Sequence, residues 1–177
     1  MEPRPVAVLS LHAWDPHHTP KDTLTLPHHE RTLRRNVLTC DGGLRIAFDL
    51  PKAETLGHRD LIALENGSYV LSVAAPEPCH EIVPSGSAGW HNLAELAWHL
   101  GNRHARVQIF QPTHAGRADN HEDWKAPDPA RRGRILISHD PVLARMVEGM
   151  GAAVREVIEP FEPMGGAYHA HGDEGGH

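Results

Sequence analysis

Sixteen histidines stand in this 177-residue chain against four Trp, three Phe and two Tyr. Imidazole is a poor core filler and titrates near neutrality, with an ordinary pKa of about 6.5, so packing does not account for the excess. Neutral imidazole is the commonest protein ligand for borderline metals such as Zn, Cu and Ni, which makes metal handling the first chemistry to consider. One group of candidates is the run His99-Leu100-Gly101-Asn102-Arg103-His104, at the predicted end of a helix, where side chains and carbonyls are exposed. A second is the C-terminal stretch carrying His169, His171 and His177 among glycines, a backbone free to bring nitrogens around an ion from several directions. Its spacing is not that of a six-histidine tag, and Asp173 and Glu174 interrupt it.

Other histidines are weaker candidates. His17-His18 and His28-His29 lie in a Pro/Thr-rich loop, and adjacent side chains on an extended backbone point apart, so neither pair chelates alone. His139 is followed by Asp140, a carboxylate with a sufficient role as a helix cap. In Cys79-His80 the two side chains face opposite sides of a strand, so a catalytic thiol is not expected and Cys79 reads as a small buried hydrophobe. His114 and His121 fall in a loop that cannot preorganise them. No phosphate loop, nucleophile elbow or H-E-x-x-H helix is present.

The elements that must position these residues fall into two halves. Short β segments are expected at 6–9, 35–38, 44–50, 61–64 and 69–74, with hairpin turns at Asp41-Gly42-Gly43 and Asn66-Gly67. Pro76 and Pro78 interrupt that pattern and mark a boundary or hinge. Beyond it the period changes: Trp90, Leu93, Ala94, Ala97, Trp98 and Leu100 recur at steps of three and four, as a buried helix face requires. Asn92 and Glu95 have capping-box spacing, and Gly101-Asn102 offers a left-handed stop. A second helix carries Val142, Leu143, Met146, Val147 and Met150, capped by Asp140, with Pro141 at its first position and Gly151 at its end. With strands at 79–83, 107–110, 135–138 and 154–158, the order is βαββαβ. The expected fold is α+β: an all-β domain over 1–76, a ferredoxin-like domain over 77–163, and a flexible tail over 164–177. The polar stretch 111–133, with three prolines, reads as a mobile loop.

Composition narrows the classes. Hydrophobic residues at 40% and charged residues at 23% are ordinary globular usage. A net charge of -6 argues against binding a phosphate backbone, so no nucleic acid partner is expected. No apolar run approaches the roughly 18 residues that span a bilayer. Two cysteines are too few for a disulfide framework and suit a reducing compartment, so the expected location is cytoplasmic.

Three segments together carry a resemblance: His99-Leu100-Gly101-Asn102-Arg103-His104, then His139-Asp140-Pro141-Val142-Leu143 through Met146, then Pro160-Phe161-Glu162-Pro163 leading to Gly166-Ala167-Tyr168-His169. In this order the chain resembles the UreE family, the nickel metallochaperones of urease maturation, along about its whole length. The resemblance implies a non-enzymatic Ni2+ carrier with Zn2+ or Cu2+ as competitors. It also implies an N-terminal domain for partner peptides, a homodimer, and delivery with the GTPase UreG to the urease apoprotein and accessory complex. It makes His104 the central ligand at the two-fold interface and His169 and His171 the start of the ligating tail, with His177 further along. His139 matches an auxiliary metal histidine, although Pro141 stands where a second one would be. A two-fold axis brings a residue opposite its own copy, so one His104 per protomer supplies two ligands. Ligation needs neutral imidazole, so affinity should fall as pH drops through about 6.5. Two other classes stay open at this point: a hydrolase with a His-ligated zinc, which needs three preorganised ligands and a general base, and an interaction module with incidental histidines.

Overall fold

The computed structural model describes residues 6–13, 15–84, 89–110 and 133–165, with the side chains of 89–92 left aside. By contacts the chain forms two units, one of residues up to Glu77 together with Glu159–Glu162, the other of Pro78–Ile158 and the residues from Pro163 on. The chain therefore returns to its first unit for four residues near its end, which the sequence reading did not anticipate.

The first unit is a six-stranded sheet. Its strands are β1 (Val6–His12), β2 (Asp22–Leu26), β3 (Thr32–Thr39), β4 (Arg45–Thr55), β5 (Leu61–Leu64) and β6 (Tyr69–Ala74), in the order β2-β6-β5-β1-β4-β3. Both expected hairpins form, with Gly43 at φ 94° and Gly67 at φ 77°, the left-handed values that favour glycine. Strand β2 corrects the reading of that stretch as loop: Thr23-Leu24-Thr25-Leu26 alternates and pairs in parallel with β6, and Leu24 is buried. Asp22 fixes the neighbouring turn by accepting from the Gly42 and Leu44 amides at 2.8 and 3.2 Å. The core gathers Leu24, Ile46, Phe48, Leu56, Ile62, Leu64 and Val70.

Arg31 is the unusual core member, a charged residue only 2% exposed. Its guanidinium donates to the Leu56 carbonyl at 3.1 Å, to Glu162 Oε1 at 3.1 Å and to the Phe161 carbonyl. A buried charge is tolerated when paired and hydrogen-bonded in this way. Phe161 is fully buried, with its ring edge-on to His28 at 5.6 Å.

The second unit runs β7 (Pro76–Pro84), α1 (Gly89–Asn102), β8 (Val107–Phe110), β9 (Arg134–Ser138), α2 (Pro141–Gly149) and β10 (Ala152–Pro160). Its sheet order is β10-β7-β9-β8, with β7 and β8 both antiparallel to β9. Pro76 and Pro78 thus begin a strand instead of ending one. Ile82, Ile135 and Ile137 meet Leu93, Leu96, Leu100 and Val147 in one core. Helix α2 is capped as expected: Asp140 Oδ1 accepts from the Val142 and Leu143 amides at 2.9 and 3.0 Å, Pro141 opens the helix, and Gly151 follows it at φ 86°.

Three details of the helices differ from expectation. Helix α1 begins at Gly89, so Asn92 lies inside its first turn and is not the cap. Its buried face is Leu93-Leu96-Leu100, and Trp98, about 200° around the helix from Leu96 and from Leu100, is 65% exposed. Val142 is likewise 66% exposed, because Ala144 and Val147 face the core instead.

Candidate metal centre

His104 closes helix α1 in an uncommon conformation. The helix ends in a Schellman motif, with the His104 amide donating to the Gly101 carbonyl at 2.9 Å and the Ala105 amide to the Leu100 carbonyl at 3.1 Å. Leu100 and Ala105 pack in the same core, the hydrophobic contact that accompanies such an end. The residue between them must be left-handed, and here it is His104, at φ 55°. Gly101-Asn102 does not provide the left-handed stop; the turn comes two residues later. Glycine is the usual occupant of that position, and an L residue there costs about 1–2 kcal/mol. The motif is buried on one side and holds the exposed His104 side chain outward on the other. A conformational cost borne by an exposed side chain with no described partner is the pattern found where a residue is kept for a task other than packing.

The root of the C-terminal stretch lies close by. The Met164 amide donates to the Val107 carbonyl at 2.8 Å. Val107 follows His104 by three residues, and His169 follows Met164 by five. An extended chain spans at most about 3.6 Å per residue, so these tethers reach at most about 11 Å and 18 Å. His169, His171 and His177 themselves, and His114 and His121 in the 111–133 stretch, lie outside the described residues.

His139 occupies the corner between β9 and α2. Its Nε2 is 3.3 Å from Glu156 Oε1 on β10, and its ring stacks on His80 with centroids 4.6 Å apart and planes at 25°. His80, on β7 opposite Ile137, is 4% exposed, and neither ring nitrogen has a hydrogen-bond partner among the described residues. Residue spacing carries no signal for this neighbour, because the contact comes from strand pairing. One residue along, Glu81 is buried between Arg134, at 2.8 Å, and Arg155. Burial pushes its carboxyl up, but the hydrogen bonds and charges of Arg155 and Arg134 outweigh it and hold the carboxyl below its usual range.

Structure separates the remaining histidines. His18 lies 3.0 Å from Asp15 and against the Tyr69 ring, and His29 lies 3.5 Å from Glu30. Among the described residues no three His, Cys, Asp or Glu side chains converge to hold an ion. The described part of one chain thus lacks the preorganised trio that a catalytic zinc would require. Cys40 and Cys79 are buried and unbridged, and among the described residues no helix is long and apolar enough to cross a membrane.

Comparison with known proteins gives a consistent picture. The N-terminal domain of the UreE urease accessory protein matches over residues 7–75 and its C-terminal domain over 77–177. The urease accessory protein UreE of Rhizobium rhizogenes is 41% identical, covering 92% of this chain and 83% of that protein. That of Agrobacterium fabrum is 40% identical over 93% of this chain and 88% of its own length, and that of Sinorhizobium fredii 40% over 86% and 81%.

Proposed function

The chain belongs to the UreE family of urease accessory proteins, non-enzymatic factors in urease maturation, and on that premise we propose that it carries Ni2+ bound by His104 and the tail histidines. The observation that carries this reading is the helix end itself: a left-handed, exposed His104 three residues from the strand position that tethers the tail root. Two copies of the chain, related by a two-fold axis through this end, present two imidazoles to one ion. Trp98 at 65% and Met164 at 63% exposure leave large apolar side chains on the same unit and support a homodimer through it. His169 and His171 then complete the coordination from a tether that also lets them leave one at a time, with His177 as a further donor. A carrier needs that property, because a closed rigid cage retains its ion.

In this reading the second unit, 77–163, is a ferredoxin-like metal and dimerisation domain, and the first, 1–76, offers its sheet to partner segments. The recipients are UreG and the urease apoprotein complex, in the cytoplasm. Zn2+ and Cu2+ compete, since the same nitrogen donors suit them. His139 is an accessory donor: Glu156 at its Nε2 leaves Nδ1 to face an ion, as in carboxylate–histidine–metal arrangements.

The test is nickel titration of the intact chain beside His104→Ala and a chain ending at Met164. His104→Ala should abolish the tightest site per dimer, and truncation should weaken it or remove additional sites. Unchanged titrations in both variants, or a strictly monomeric protein in the presence of nickel, would refute the assignment.

A further inference from the structure

Three polar side chains at one end of the second unit's sheet stand one row beyond its core. Ile82 on β7, Ile137 on β9 and Val154 on β10 pack in that core, and successive side chains of a strand alternate between its faces. His80, His139 and Glu156 each lie two residues from one of these, toward the same core-facing side of the sheet. The antiparallel register of β7 and β9 brings His80 and His139 to one end, where the His139 amide donates to the Pro78 carbonyl at 3.3 Å. His80 is 4% exposed, and among the described residues neither of its ring nitrogens has a partner. A buried polar atom left unpaired costs stability. The stack on His139 does not account for that cost, because a phenylalanine ring would fill the same place without it. The His139 side chain is 43% exposed, with its Nε2 3.3 Å from Glu156 Oε1.

We infer that His80 and His139 together form a two-imidazole site for one borderline divalent cation, with Glu156 accepting a hydrogen bond from His139. The inference rests on the reading of His139 as an accessory donor and supplies it with a second donor from the neighbouring strand. A metal–nitrogen bond of about 2.0–2.1 Å puts an imidazole centroid about 3.2 Å from its ion, so two imidazoles in adjacent positions on one ion have centroids about 4.5–5.2 Å apart. The two rings here are 4.6 Å apart. Their planes, at 25°, lie nearly face to face, so the ion enters as the exposed His139 ring turns about its χ2, a broad torsion. Coordination gives a His80 nitrogen the partner it lacks. Glu156 sets the tautomer of His139 by accepting from its Nε2–H, which leaves the Nδ1 lone pair for the ion. Two protein donors leave the remaining positions to water, so the ion is held in an open, exchangeable site.

The experiment is a nickel titration of the full-length chain carrying His104→Ala, compared with the same chain carrying also His80→Phe, His139→Ala, or both. The tail histidines are present in every variant, so they cancel in the comparison. Thermal melts of the metal-free variants establish that each is folded, and His139→Ala, at an exposed position, leaves the core untouched. Because Phe keeps a ring against His139, a loss on that substitution reads the nitrogen and not the stack. Losing a donor should cost at least as much as losing the hydrogen bond behind one, so each single substitution should weaken the same one ion per chain at least about ten-fold. The double variant should lose no further ion. A His80→Phe chain that keeps the ion count and affinity, while His139→Ala loses an ion, overturns the inference and leaves the accessory role of His139 standing. Additive losses of two different ions also overturn it, since they place the two imidazoles in separate sites. An unchanged titration on His139→Ala alone overturns the accessory reading itself, and the inference with it.

Discussion

Replacing His104 by glycine should make the metal-free protein more stable while destroying its response to nickel. The left-handed φ of 55° costs an L residue about 1–2 kcal/mol, a cost absent for glycine. Glycine in turn loses about 0.5–1 kcal/mol more backbone entropy on folding. The hydrogen bonds of the helix end, from the residue 104 and Ala105 amides, belong to the backbone and survive, and the exposed imidazole leaves no cavity when removed. The balance is a gain of about 0–1.5 kcal/mol, centred on about 0.8 kcal/mol, which is about 2–3 °C in Tm for a chain of this size. Nickel at a hundred times its dissociation constant should stabilise the natural protein by about 2.7 kcal/mol, and the glycine variant by almost nothing. Thermal unfolding with and without nickel reads both effects. His104→Asn, tolerated in this region, should be close to neutral in stability, and His104→Ala should show no comparable gain, yet both lose the nickel response. A glycine variant destabilised by more than about 1 kcal/mol would mean that the imidazole is a structural prop and that the conformational argument is wrong.

His80→Phe keeps a ring against His139 and removes two buried nitrogens without partners, so urea unfolding should show a gain of about 1–2 kcal/mol; a loss of that size would contradict the described packing. Glu81, held below its ordinary value of 4.5, contributes stability that is present above that pH and is lost as pH falls through its lowered folded value. Acid titration of stability should therefore be steeper below pH 4.5 in the natural chain than in Glu81→Gln, and identical slopes would exclude the role. The Cys40 thiol is pushed up to about 12 from 9.0 by burial and by the nearby Asp22 and Asp41 charges. At pH 8 its thiolate population should lie about 10³-fold below that of the unfolded chain, so alkylation should await denaturant, and prompt modification of Cys40 in the folded protein would count against this environment.

Local chemistry was legible wherever the information is local. Asp140, Pro141 and Gly151 bracket α2 within twelve residues, and Gly43 and Gly67 mark turns between neighbouring strands. The three ordered motifs pointed to the UreE family, which the comparisons bear out, because residue types at fixed spacing are carried by the sequence itself. What escaped notice depends on distant partners. Strand β2 pairs with residues 48 positions later, Asp22 with Val70, and its Thr-rich alternation between prolines reads as loop without that neighbour. Arg31 looks like a surface residue until Phe161 and Glu162, 130 and 131 positions on, are brought to it. Trp98 fits the helical stripe by hydropathy alone, and only the Leu93-Leu96-Leu100 face shows which side of the helix is covered. The conformation of His104 was hidden for another reason: Gly101 and Asn102 are the better left-handed formers, but the burial of Leu100 and Ala105 fixes where the helix must turn.

The four residues returned to the first unit also impose an order on biosynthesis. Synthesis runs from the amino terminus, and domains ordinarily close as soon as they emerge. Here the β-sheet made earliest waits for nearly the entire polypeptide before Phe161 can fill its place and the Arg31 guanidinium can find two of its acceptors. A nascent chain halted before residue 159 would carry an unfinished first half, marked by an open apolar socket and a poorly compensated cation. Completion of that half therefore depends on residues that follow almost the whole of β10.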